Sequence, residues 1–123
     1  MEANVALARR FFDAIAALDA EAALACCAPG ATFLRPDVGI VQKMDEQLGQ
    51  LLNGLKAASG TIGYGDCKTV ATTDGFVEEH QVKVDVLGKT MTMPVCAVAE
   101  VADGQITAMR EWLDPAPMSA LSS

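Results

Sequence analysis

Two charged pairs in the last third of the chain have the types and spacing to do chemistry. Lys83 and Asp85 lie two apart in FVEEHQVKVDVL, and that spacing puts both side chains on one face of a β-strand. Arg110 and Glu111 stand in the closing stretch ITAMREWLD, where alternation gives Glu111 the face of Met109 and Leu113. A carboxylate between apolar neighbours loses the hydration that favours its charged form. Its pKa then rises toward the range where a side chain takes and returns protons near neutral pH.

A frame must hold these residues. Ala8, Phe11, Phe12, Ile15 and Leu18 recur at helical spacing and predict a helix over 4–18, with Asn4 as its N-cap. Asp19 caps a second, short helix over 20–28, ended by Pro29–Gly30. Residues 31–35 read as a short strand and 36–39 as a loop. Val41, Met44, Leu48, Leu51, Leu52 and Leu55 mark a third helix that closes near Ser59–Gly60. Beyond Gly60 the period changes from helical to two. Strands are expected over 61–72, 76–87, 90–101 and 105–114, with Pro115 ending the fold. Helices followed by a meander give an α+β order, in which one curved, mainly antiparallel sheet must cover three N-terminal helices. Two hairpin registers stay open. Around Ala102–Asp103–Gly104 a three-residue loop pairs Glu111 with Val95 and a two-residue loop pairs it with Cys96. Around Gly88–Lys89–Thr90 the alternatives set Asp85 opposite Met93 or Thr92.

Composition narrows the function classes. At 123 residues the chain is expected to be a single domain over 1–123, and its 51% apolar content suffices for a core. A formal charge of -7 without a basic stripe argues against nucleic acid or an anionic membrane as partner. The N-terminus MEANVALARRFF has no signal-peptide pattern and no apolar run is long enough to span a bilayer, so a cytoplasmic location is expected. Cys26, Cys27, Cys67 and Cys96 form no CxxC pair and His80 is the one histidine. A zinc site would need ligands from scattered positions, so free cysteines and no metal or cofactor are expected. His80 shares a face with Val82 and Val84, which favours a partly buried or interface histidine over a catalytic one.

The phrases PVCAVAEVADGQITAMREWLD and RRFFDAIAALDAEAALACCAPGATF resemble the nuclear transport factor 2-like superfamily. Within it the chain is similar to the SnoaL-like polyketide cyclases and the limonene-epoxide hydrolases. The resemblance implies a cone-shaped α+β barrel that packs the three helices in its concave face, and a pocket between sheet and helices with Glu111, Asp85 and Lys83 as catalytic groups. Lys83-x-Asp85 stands where the hydrolases carry Arg-x-Asp, and Glu111 where they carry their second aspartate and the cyclases their main acid/base carboxylate. The hydrolases' water-positioning tyrosine and asparagine fall at Phe33 and Arg35. Phe33, Arg35, Met44 and Leu48 would contact substrate from one side; Leu87, Met93, Val95 and Leu113 would do so from the other.

The implied activity is cofactor-free acid/base catalysis on a small apolar molecule, either epoxide opening by water or isomerisation or cyclisation through an enolate. The alternative is a non-catalytic binding or dimerisation module of the same fold. The two readings assign the valines differently. If Val82, Val84 and Val86 are core, Lys83 and Asp85 face solvent. If the charged pair faces the pocket, the valines cover a homodimer contact on the outer sheet face.

Overall fold

The computed structural model describes residues 2–121. Its helices are α1 (Glu2–Ala16), α2 (Ala20–Ala25) and α3 (Met44–Ala57). Its strands are β1 (Cys27–Arg35), β2 (Ile40–Lys43), β3 (Thr61–Ala71), β4 (Gly75–Val86), β5 (Lys89–Ala102) and β6 (Gln105–Leu113), followed by a 3₁₀ helix, Ala116–Leu121. The strands lie in the order β2-β1-β6-β5-β4-β3. All neighbours are antiparallel except β1 and β6. The expected α+β class and the packing of helices on a curved sheet hold. The sheet is an open cone, with β2 and β3 as free edges, not a closed barrel. Among the described residues no helix is long and apolar enough to cross a membrane.

α1 buries Leu7, Ala8, Phe11, Phe12 and Ile15 against the sheet, and each fully buried large side chain contributes about 1.5–3 kcal/mol. Asn4 is not a cap, because the helix is already under way at Glu2. Its side-chain amide donates to the Gly75 carbonyl at 3.0 Å and ties α1 to the start of β4. Position 75 admits only glycine: a Cβ there would stand 1.9 Å from the Ala99 carbonyl oxygen. α2 is capped as expected, with Asp19 accepting from the Ala22 N–H at 3.0 Å. It stops before Ala28 because Cys27 already pairs with Ile106, so Pro29–Gly30 fall in an irregular part of β1.

β2 replaces the expected first turn of the third helix. Residues 40–43 pair with the far end of β1, and satisfying that edge outweighs the helical spacing of Val41, which stays exposed. The tail also departs from expectation. It folds back, and Lys89 Nζ donates to the Leu121 carbonyl at 3.4 Å.

Both expected hairpin registers are corrected. Leu87 and Gly88 have φ of 52° and 76° and make a two-residue turn that pairs Val86 with Lys89. Asp85 therefore faces Thr90, not Met93 or Thr92. Asp103 and Gly104 repeat the geometry, with φ of 52° and 75°, and pair Ala102 with Gln105. A bulge then shifts the register between Val101 and Glu100, so Glu111 faces Ala97, not Val95 or Cys96. Positive φ at both turn residues matches the right-handed twist of the flanking strands, and the bulge adds the residue that loop counting misses.

Candidate active site

The concave face of the sheet, α1, α3 and the 3₁₀ helix enclose a cavity of about 610 Å³. All five described methionines, Met44, Met91, Met93, Met109 and Met118, line it. Unbranched, polarisable side chains let such a wall adapt to a ligand's shape. Of the expected contact residues, Phe33, Arg35, Met44, Leu48, Met93, Val95 and Leu113 line the cavity. Leu87 does not: it sits at the tip of the β4–β5 turn, 77% exposed.

The expected Lys83, Asp85 and Glu111 constellation does not assemble. β4 turns His80, Val82, Val84 and Val86 to the cavity, and a period of two sends Lys83 and Asp85 to the opposite face. Lys83 is exposed. Asp85 accepts a hydrogen bond from the Thr90 hydroxyl on the outer side. The valines are cavity wall, so they do not form the outer contact that the alternative face assignment required.

Glu111 does reach the cavity, from β6. It keeps some accessible surface because the space before it is hollow, yet protein surrounds it. Burial pushes its carboxyl up to about 7 against the smaller opposing pull of His80 and Arg35. No described residue donates a side-chain hydrogen bond to it. Arg35 arrives on β1, whose parallel register sets Leu34 beside Arg110. Its Nε and a terminal nitrogen donate to the two Asp37 oxygens at 3.0 and 2.8 Å. That bidentate pair raises the Arg35 pKa and lowers that of Asp37.

Three further residues complete the polar pole. His80 is 4% exposed, and its Nδ1 lies 2.5 Å from Glu78 Oε2. The other oxygen, Glu78 Oε1, accepts from the Thr69 hydroxyl at 2.7 Å. With Glu78 as a carboxylate, which only accepts, the contact requires the proton on Nδ1. Nε2, on the other side of the ring, has no hydrogen-bond partner among the described residues. Phe12 packs edge-on to the imidazole, with centroids 4.9 Å apart, and Tyr64 lies 4.6 Å away. Burial raises the Tyr64 pKa, so its phenol stays protonated and is available to the cavity as a donor.

Sequence reasoning expected Glu111 and Arg35 at the cavity, where both lie; it weighed His80 as a partly buried or interface residue and passed over Glu78 and Tyr64. The available signal was Glu78-x-His80 continuing the inner face of Val82, Val84 and Val86. A Glu two residues from a His on an inward face can pair with it and fix its orientation.

A family model described as a SnoaL-like domain matches residues 8–109. No curated protein matches the chain. Among solved structures, a candidate polyketide cyclase from Xanthomonas campestris pv. campestris is 21% identical, with a TM-score of 0.82 over 99% of this chain and 98% of that one. A candidate polyketide cyclase from Silicibacter sp. is 18% identical, with a TM-score of 0.82 over 100% and 98%. An epoxide hydrolase from M. tuberculosis, similar to the limonene-epoxide hydrolases, is 17% identical, with a TM-score of 0.78 over 98% and 91%. At these identities the likeness is one of fold.

Proposed function

Because the chain belongs to the SnoaL-like domain family, within the nuclear transport factor 2-like superfamily, we propose that it is a cofactor-free acid/base catalyst. It isomerises or cyclises a small apolar carbonyl compound through an enolate. The observation that carries this reading is Glu111, whose carboxyl is held up to about 7 in a mainly apolar cavity that it shares with His80.

Glu111 is the base that removes a proton from carbon next to the carbonyl. His80 Nε2 is the second proton carrier, and Glu78 positions it through Nδ1. Tyr64 and Arg35 stabilise the enolate oxygen, one as a neutral donor and one as a cation. The methionine wall binds the apolar body of the substrate. Epoxide opening is less well supported, because Phe33 has no group to position a water. The chain acts as a homodimer joined through the outer sheet face, where Trp112 is 40% exposed, and it works in the cytoplasm. Sedimentation of Trp112→Glu tests the dimer: a shift from dimer to monomer is expected, and an unchanged mass excludes that face.

The test of function is deuterium exchange from heavy water into a panel of small apolar ketones and 1,3-diketones, with simple epoxides in the same panel. Exchange is expected to rise as pH passes about 7 and to fall by about 10²–10⁴ in Glu111→Gln. Exchange that survives Glu111→Gln would overturn the assignment, and a diol from an epoxide would redirect it to hydrolysis. Tight ligand binding with neither product would make the chain a binding module.

A further inference from the structure

A second cluster lies where β3 meets β4, around His80. We propose that Cys67, Glu78 and His80 form a binding site for a thiophilic divalent metal of the zinc class. The Cys67 thiol, a Glu78 oxygen and a His80 ring nitrogen lie within 4.8 Å of one another. Glu78 and His80 lie two apart on β4 and Cys67 on the neighbouring β3, and a specific irregularity brings the thiol to them. β3 pairs Gly65 with Gln81 and Lys68 with Glu79, so Asp66 and Cys67 together oppose His80. Asp66 takes a φ of 52°, and this bulge turns the Cys67 thiol toward the imidazole.

The donor set suits the metal. Thiolate, imidazole and carboxylate are the three ligand types that zinc takes, usually with a fourth, open position for water. With bonds of about 2.0–2.3 Å, the Cys67 thiol must close toward the ion, and the ion takes the place of the Glu78–His80 hydrogen bond. Cys67 can make that move, because it is exposed and lies in the bulge of an edge strand. Glu78 and His80, buried and in contact at 2.5 Å, part slightly to admit the ion. Binding would release the thiol proton to solvent. Coordination at Nδ1 would also move the imidazole proton to Nε2, so a loaded site would take the lone pair of Nε2 out of use.

One group competes with the metal. The Arg9 guanidinium lies 3.9 Å from Glu78 Oε1, and Glu78 and Cys67 both help to raise its pKa. It is the resident cation of the cluster, and its 41% exposed side chain also pairs with Asp13 at 3.2 Å. Arg9 can therefore swing outward when a metal enters. The site does not depend on the acid/base reading: it stands or falls whether or not the cavity catalyses anything.

The experiment is a Co(II) titration of the reduced full chain, followed by displacement with Zn(II). The expected result is one equivalent bound, with a thiolate-to-cobalt charge-transfer band in the near ultraviolet and tetrahedral bands in the visible. Cys67→Ser should abolish the charge-transfer band and weaken zinc by at least about 100-fold, beyond what loss of a supporting residue costs. Its metal-free melting temperature should be unchanged, since Cys67 is exposed. Arg9→Gln should tighten zinc roughly tenfold by removing the competing charge. Absence of the band in the wild type would overturn the site. So would a band that persists in Cys67→Ser and disappears in Cys26→Ser or Cys96→Ser.

Discussion

Two glutamates sit on the concave side of the same sheet, and the difference between them shows what makes a buried carboxylate reactive. Glu78 on β4 is completely buried and accepts from Thr69 and His80, with Arg9 3.9 Å away. Glu111 on β6 faces the hollow of the cavity, accepts no side-chain hydrogen bond from a described residue, and has its carboxyl pushed up to about 7. Burial with partners produces a fixed structural group. Burial without them leaves a group that exchanges its proton near neutral pH. Glu78 serves the site by what it holds, and Glu111 by being held loosely.

The largest expected effect that separates the two is on Glu78. Glu78→Ala should cost about 3–5 kcal/mol in urea unfolding, because it leaves Thr69, His80 and Arg9 facing a buried gap. Glu111→Gln should cost little and, at high pH, should stabilise. The sign follows from linkage. The folded carboxyl, near 7, binds its proton more tightly than the unfolded carboxyl at its model value of 4.5. Between those values the native state holds more protons, so stability falls as pH rises from about 4.5 to 7, and the deficit is complete above 7. The shift corresponds to roughly 1–3 kcal/mol after allowance for partial exposure. Glu111→Gln should thus be more stable than wild type by that amount at pH 8 and level with it at pH 4. Parallel pH–stability curves for the two proteins would erase the distinction between the glutamates.

The part of this contrast that sequence could read was set by periodicity. Met109, Glu111 and Leu113 alternate with Arg110 and Trp112, which is enough to place Glu111 on the inner face. The same rule applied to Val82, Val84 and Val86 turns Lys83 and Asp85 outward, as the structure does. The family resemblance pointed the other way and was wrong at that strand, because matching Lys-x-Asp to a motif ignores which face the strand offers. Other features lay outside any local pattern. Glu111 faces Ala97 because of a bulge after a two-residue turn, and Cys67 meets His80 because of a bulge in β3. β2 forms because an edge needs covering. The helices and the meander were legible because each is a property of its own segment. The polar pole was not, since it depends on side chains from β1, β3, β4 and β6 meeting across a space that no segment encodes.

The smallest expected effect bounds the comparison from outside. Asp85 is a third carboxylate on the same strand as Glu78, displaced to the other face. It is half-buried and bonded only to the Thr90 hydroxyl of the adjacent strand. Lys83 beside it is exposed and makes no ion pair among the described residues. Water solvates both charges whether or not a partner is present, so neither substitution leaves an unsatisfied buried group. Lys83→Ala and Asp85→Ala should each change unfolding free energy by less than about 0.5 kcal/mol. Both should leave deuterium exchange at the cavity within twofold of wild type. A tenfold loss in either would mean that the outer face of β4 acts on the cavity through the strand, and exposure would then not separate working carboxylates from idle ones. If both remain silent while Glu111→Gln is inactive, the side of the sheet on which a carboxylate stands decides its role, and the two-residue period of β4 assigns it.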